Sequence, residues 1–142
     1  MPPRSATNAP PKKTLRSNPE AVLQAEIMAA LGRAPGCTVW RNNVGTAVYD
    51  SGARVEYGVG GTGAPDLLCE VLVGGSFPAV ALWLEVKTPE GRVEEHQRRW
   101  HAAALRGGRN VAVVRSVDDA LGAVDEVRRA GQLIGTWEVS RG

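Results

Sequence analysis

The sequence predicts an α/β protein with one central mixed β-sheet flanked by α-helices. The predicted order of elements supports this class: an amphipathic helix, three or four strands, a helix, a strand and a last helix. A length of 142 residues suits one domain with a modest core. The chain is 43% hydrophobic and 23% charged, as in ordinary soluble globular proteins, so we expect a packed domain rather than a fibrous or disordered chain.

The first helix is predicted from its end signals. Asn18 suits the N-cap and Pro19 the first turn, and Gly32 follows an expected end near Leu31. At about 100° per residue, one apolar stripe is shared by Leu23, Ile27 and Leu31. Glu20 and Gln24 fall in the same arc and are expected to point toward the core face, whereas Glu26 falls at its edge.

The other elements follow from alternating or continuous apolar runs between turn residues. Ser116 is the expected N-cap of the last helix, and Gly107 with Gly108 is the expected end of the helix before it. The predicted elements are a strand in 37–43, a hairpin around 50–52, a flexible loop at 58–63, strands at 65–73 and 79–87 with a turn between them, a break at 88–91, a helix at 93–106, a strand at 110–116, a helix at 117–130, and a short edge strand or arm at 132–142.

The charge is distributed unevenly. Residues 1–17 contain four basic residues and no acidic one, so we predict a disordered basic tail that could attract nucleic acid or simply keep the chain soluble. No apolar run approaches the roughly 20 residues of a membrane span, and the N-terminus lacks the apolar core of a secretory signal. We therefore expect a cytoplasmic protein with no membrane partner.

Charged side chains at the ends of two strand-like stretches point to a site. Asp66 opens one stretch, and Glu85 and Lys87 lie on one face of the next because alternate residues of a strand share a face. If the strands pair, Asp66 and Glu85 converge. Two close carboxylates resist ionising together, and a divalent cation with oxygen ligands, Mg²⁺ or Mn²⁺, removes the conflict.

This combination of carboxylates, lysine and cation is suited to hydrolysis of a phosphodiester bond. A bound metal neutralises charge that develops on the phosphate and lowers the pKa of a bound water, and Lys87 can orient that water or stabilise the transition state. On the following helix, Gln97 falls within the inward stripe and is expected to support the lysine, the water or a phosphate.

Several polar residues near this point are candidate DNA contacts. These are Arg41, Asn42, Asn43, Arg92 and Arg115. An ordinary polar turn would explain 41–43 as well, a solvated helix face would explain Arg92, and an ion pair with Asp118 or Asp119 would explain Arg115. The glycine-rich loop at 58–63 is expected to let a DNA backbone approach closely. His96 and His101 are interpreted as surface or partly buried residues.

The ordered motifs resemble a known family. Asp66 followed by Glu85-Val86-Lys87 is similar to the PD-(D/E)xK nuclease signature, and the chain resembles its VRR-NUC branch, which is common in phage and bacterial genomes. The matching pieces, which span about residues 18–125, are Glu20 with Gln24, "WRNNVG" at 40–45, "GAPDL" at 63–67, "EVK" at 85–87, Gln97 with Trp100, and "VAVVRSVDDAL" at 111–121.

The resemblance implies a single restriction-endonuclease-like domain over residues 18–142. It implies that Asp66, Glu85 and the carbonyl of Val86 bind the metal, that Glu20 completes the site, with Glu26 as the alternative, and that Lys87 is catalytic and Gln97 supporting. It also implies a DNA endonuclease that leaves a 5′-phosphate and a 3′-hydroxyl. Small stand-alone members resemble structure-specific enzymes, some of them homodimers that act on four-way (Holliday) junctions.

Two other functions stay open from the sequence alone. The chain could be a non-catalytic DNA-binding subunit that keeps the fold, although the presence of Asp66, Glu85 and Lys87 together argues against this. It could also be an RNA-directed phosphodiesterase, because no sequence feature excludes RNA. Neither the preferred DNA form, branched or duplex, nor a dimer interface can be read from the sequence.

Overall fold

The computed structural model describes residues 18–139 and confirms the predicted fold class, with three helices around a central mixed sheet. The predicted basic tail at 1–17 lies outside the described residues. The elements in chain order are α1 (Pro19–Arg33), β1 (Cys37–Arg41), β2 (Gly45–Val48), β3 (Arg54–Tyr57), β4 (Leu67–Val73), β5 (Ser76–Val86), α2 (Glu95–Arg106), β6 (Asn110–Val114) and α3 (Val117–Ala130).

The central sheet has the strand order β1-β4-β5-β6. Neighbours are antiparallel except for β5 and β6, which are parallel and connected through α2. In this register Leu67 at the start of β4 lies opposite Leu84 near the end of β5. The predicted hairpin forms a separate two-stranded sheet from β2 and β3, whose β3 residues are all exposed.

The two faces of β5 build two cores. Leu82, Leu84 and Val86 are buried on the face that α1 and α3 cover, together with Ile27 of α1 and Val127 of α3. This arrangement confirms the predicted alternation, because the intervening residues of β5 point to the opposite face. There Trp83 packs in a smaller cluster with Ala104 of α2 and Val111 of β6.

The starts of α1 and α3 carry the predicted N-caps, and Gly107 ends α2 as predicted. Asn18 Oδ1 accepts from the backbone N–H of Glu20 at 3.1 Å at the start of α1, and Ser116 Oγ accepts from that of Asp119 at 3.0 Å at the start of α3. Gly131 ends α3 in the left-handed conformation with φ 74°.

Several element boundaries differ from the prediction: α1 continues through Gly32 to Arg33, and β4 begins at Leu67 rather than at residue 65. The strand β5 begins at Ser76, inside the predicted turn, because the two glycines at 74 and 75 adopt positive φ and let strand pairing resume at once. The helix α2 begins at Glu95 rather than Val93. Of the two alternatives predicted for the C-terminal segment, residues 132–139 form the arm, in which the Trp137 carbonyl accepts from the backbone N–H of Val113 at 3.0 Å.

No helix within residues 18–139 is long and apolar enough to cross a membrane.

The burial of β5 predicts that stability is most sensitive to substitutions in this strand. Leu84→Ala removes a fully buried side chain from the middle of the sheet, so we expect the free energy of unfolding to fall by about 2–5 kcal/mol. The matched control is Val55→Ala in the exposed strand β3, which should change it by less than about 0.5 kcal/mol. Urea unfolding monitored by circular dichroism measures both; equal effects would contradict the assigned core.

Candidate active site

The pairing of β4 with β5 brings two carboxylates together at one end of these two central strands. Asp66 immediately precedes β4, and Glu85 is the penultimate residue of β5. The Asp66 Oδ2 atom accepts a hydrogen bond of 2.9 Å from the backbone N–H of Val86, so its carboxylate is held against the end of β5. The Glu85 side chain is 1% exposed.

The surroundings disfavour ionisation of both carboxyls. Burial, and then the negative charge of Glu85, raise the pKa of Asp66 to about 6, although the hydrogen bond from Val86 opposes the shift. Burial likewise raises the pKa of Glu85 to about 7 against the opposing charge of Lys87, and the negative charge of Glu20 adds to the rise. The folded chain therefore holds two carboxyls whose charged forms lack full compensation.

Lys87 extends the site just beyond β5. Its Nζ atom lies 3.6 Å from Glu85 Oε1, and the residue is 8% exposed. Its backbone N–H donates to the Val114 carbonyl at 3.0 Å and so continues the pairing with β6. The ammonium group is thus fixed next to the carboxylates rather than free in solvent.

Gln97 in the first turn of α2 is oriented at both ends of its amide. Its Nε2 donates to Glu85 Oε1 at 2.7 Å, and its Oε1 accepts from the backbone N–H of Glu94 at 2.9 Å. The residue faces inward, as its position in the helix stripe predicts, and it links the start of α2 to the carboxylate.

His101 is a neighbour of the site that the sequence did not reveal. It is 1% exposed, so the interpretation as a surface or partly buried residue is wrong. Its Nε2 atom lies 3.9 Å from Glu85 Oε2, and neither atom has a hydrogen-bond partner within residues 18–139. Burial, and then the positive charge of Lys87, lower the pKa of His101 to about 4, so a neutral imidazole faces Glu85 at neutral pH. The sequence signal for this burial was the position of His101 one helical turn beyond the inward-facing Gln97.

The donor set fits a hydrated hard cation better than a fully enclosed metal. Within residues 18–139, no three His, Cys, Asp or Glu side chains come together as a metal site. The carboxyls of Asp66 and Glu85, with an unpartnered buried oxygen on Glu85, supply oxygen ligands only. Mg²⁺ and Mn²⁺ suit such a site because Mg²⁺ retains several waters and needs only one or two carboxylates.

The first helix places its two glutamates differently. Glu20 is partly buried, and its charge is felt by Glu85. Glu26 is exposed. Gln24 is 8% exposed and lies on the core side of α1, where the stripe predicts it. Of the two glutamates, Glu20 is thus the one placed near the carboxylates.

Two of the candidate DNA contacts are committed to bonds within the fold. Asn42 is one of them: its Nδ2 donates to the carbonyls of Val59 at 2.9 Å and Pro65 at 3.1 Å, and its Oδ1 accepts from the Val59 N–H at 2.9 Å. Its side chain therefore joins the end of β1 to the glycine-rich loop. In contrast, Arg41, Asn43 and Arg92 are exposed.

Arg115 is the second committed residue. Its Nη1 donates to the carbonyls of Thr88 and Gly91, both at 2.7 Å, and its Nε lies 2.8 Å from Glu138 Oε1. The ion pair is thus made with Glu138 rather than with Asp118 or Asp119, although Asp119 Oδ2 accepts from the backbone N–H of Arg115 at 2.9 Å. Arg115 fastens the segment that follows Lys87 to the C-terminal arm.

The glycine-rich loop packs tightly against its neighbours. A Cβ on Gly58 would lie 2.4 Å from the Asn43 carbonyl oxygen, and one on Gly63 would lie 2.5 Å from that of His96. Trp100 Nε1 donates to the Gly60 carbonyl at 2.8 Å. Glycine is therefore required here for close packing of the loop and for its positive φ values.

Comparison with known families agrees with the site geometry. The VRR-NUC domain family model matches residues 18–118, more than half of the chain. The chain belongs to the VRR-NUC domain family. The matched range contains the positions of Glu20, Asp66, Glu85, Lys87 and Gln97, and the family is of the nuclease type, which implies interaction with DNA. No curated protein and no solved structure matches the chain significantly.

The raised carboxyl pKa values predict a pH dependence of stability without metal. Between about pH 4 and pH 7 the unfolded chain loses protons that folded Asp66 and Glu85 retain, so their contribution to the free energy of unfolding falls as pH rises. Asp66→Asn and Glu85→Gln remove this loss. We expect each variant to gain stability relative to the unsubstituted protein across this window, by on the order of 1–3 kcal/mol.

Urea unfolding in EDTA at several pH values measures the difference. His101, whose lowered pKa makes the folded state more stable as pH rises from about 4, does not cancel in this difference. The charge of Asp66 raises the pKa of His101, so Asp66→Asn lowers that pKa further and adds to the variant's gain as pH rises. A constant difference between each variant and the unsubstituted protein would contradict the assigned environments.

Proposed function

We propose that this VRR-NUC protein is a Mg²⁺- or Mn²⁺-dependent DNA endonuclease that hydrolyses phosphodiester bonds and leaves a 5′-phosphate and a 3′-hydroxyl. One observation carries the proposal: Asp66, Glu85 and Lys87 meet at one end of the central strands, and the pKa values of both carboxyls are raised. A purely structural ion pair needs one carboxylate for one lysine. The second carboxylate is costly here unless a cation joins it.

In the proposed mechanism, Asp66, Glu85 and the Val86 carbonyl would hold the cation, and Glu20, whose charge acts on Glu85, would complete the site. The cation supplies Lewis acidity and a more acidic bound water. Lys87 directs its ammonium group at the attacking water or at a non-bridging phosphate oxygen, where negative charge grows in the transition state. Gln97 keeps Glu85 in place by donating to its Oε1.

DNA would approach from the side that carries the exposed polar residues. Arg41, Asn43 and Arg92 are exposed and remain proposed phosphate contacts. Asn42 and Arg115 support the fold instead, since their side chains are already bonded within it. The similarity to small stand-alone members supports branched DNA as the substrate, and two symmetric cuts in a four-way junction would favour a homodimer.

The three site residues are expected to be essential for cleavage. Asp66→Asn, Glu85→Gln and Lys87→Ala should each lower the cleavage rate by at least about 100-fold, because the two carboxyls are proposed to hold the cation and the lysine to stabilise the developing charge. Circular dichroism should show an unchanged fold. Val55→Ala on the exposed hairpin serves as the control variant and should cleave at the rate of the unsubstituted protein. A fully active Lys87→Ala protein would exclude the role of the lysine.

A substrate panel tests the class of reaction. Labelled linear duplex, single strand, flap, four-way junction and RNA are incubated with Mg²⁺, with Mn²⁺ and with EDTA. We expect metal-dependent cutting of branched DNA and none in EDTA. Cutting of RNA alone would replace DNA as the substrate, and tight DNA binding without any cutting would replace the endonuclease by a non-catalytic subunit.

A further inference from the structure

Asn42 bonds to the backbone on both sides of Asp66, whereas the Val86 N–H bonds to the Asp66 carboxylate itself. Asn42 follows the last residue of β1, and its backbone N–H donates to the Asp66 carbonyl at 2.7 Å. Its side-chain Nδ2 donates to the Pro65 carbonyl at 3.1 Å. The two peptide groups on either side of the Asp66 Cα are therefore both bonded to Asn42. Their anchoring restricts φ and ψ of Asp66.

The same amide also fixes the loop that leads to Asp66. Asn42 Oδ1 accepts from the Val59 N–H at 2.9 Å, and Nδ2 donates to the Val59 carbonyl at 2.9 Å. One side chain thus joins the first part of the glycine-rich loop to its last residue, Pro65. Between these two points, Trp100 Nε1 also donates to the Gly60 carbonyl. The loop contains four glycines, so its chain has many alternative conformations once such bonds are lost.

We propose that Asn42 is a positioning residue that sets the location of the Asp66 carboxylate, and not a DNA contact. The proposal rests on the proposed function, in which Asp66 holds the catalytic cation. Asn42 uses its Oδ1 acceptor and its Nδ2 donors within the fold, so a contact to a base or phosphate would have to break these bonds. Residues that orient a metal ligand typically change metal affinity or activity by about 10–100-fold when removed.

Two variants separate this role from DNA contact. Asn42→Ala removes all three side-chain bonds. Asn42→Asp keeps the acceptor for the Val59 N–H but places an oxygen against the carbonyls of Val59 and Pro65. Both should lower kcat by about 10–100-fold and raise the Mn²⁺ concentration for half-maximal activity. The affinity for DNA, measured in EDTA, should stay unchanged.

The chain offers a matched control in Asn110. Its Oδ1 accepts from the Leu133 N–H at 2.9 Å and its Nδ2 donates to the Ala81 carbonyl at 3.2 Å, so it also clamps an irregular segment to the sheet. It pairs with Leu82, three residues before Glu85 and thus about 10 Å away along β5. Asn110→Ala should lower stability and leave kcat and the Mn²⁺ dependence unchanged.

Hydrogen exchange tests the side-chain bonds of Asn42 independently of catalytic activity. The Val59 amide hydrogen should exchange faster in Asn42→Ala than in the unsubstituted protein. In Asn110→Ala its exchange rate should be unchanged. Three results would each overturn the proposal: an unchanged kcat in Asn42→Ala, a loss confined to DNA affinity, or an equal loss in Asn110→Ala. If the unsubstituted protein cuts no DNA, the proposed function fails. The affinity for Mn²⁺, measured by calorimetry, then decides: a weaker Mn²⁺ affinity in Asn42→Ala supports the positioning role, and an equal affinity overturns it.

Discussion

The proposed function depends on two carboxyl groups held close together at one end of the two central strands of a mostly apolar sheet. Asp66 and Glu85 are brought there by antiparallel pairing of β4 with β5, and burial makes their joint ionisation unfavourable. A fold selected for stability alone would separate them or replace one by an apolar residue. Their retention side by side is understandable if a cation and a phosphate share the site.

The surrounding contacts restrict the position of each group. The backbone N–H of Val86 holds Asp66, and the Gln97 amide and the Lys87 ammonium lie on one oxygen of Glu85. These groups come from the end of β5 and the start of α2, whose connecting segment is fastened by Arg115. The geometry of the site is thus built from rigid elements and from a loop that is bonded at both ends.

The fold and the centre of the site could be predicted because they follow local rules. Period-two alternation identified the faces of β5, and strand pairing then required Asp66 to approach Glu85. The roles of Asn42 and Arg115 could not be predicted in this way. Their partners lie 17 to 27 residues away in loops, and polar residues at strand ends have the same appearance whether they bind DNA or a backbone carbonyl. The burial of His101 was missed although it follows the inward-facing Gln97 by four residues and so shares its face of α2.

The central claim is that Asp66 and Glu85 together hold a divalent cation, and anomalous X-ray diffraction from crystals grown with Mn²⁺ tests it most directly. The account predicts one strong anomalous peak in contact with both carboxylates and with the Val86 carbonyl oxygen. A peak bound elsewhere, or no peak at a saturating Mn²⁺ concentration with Glu85 still bonded to Gln97 and Lys87, would contradict it.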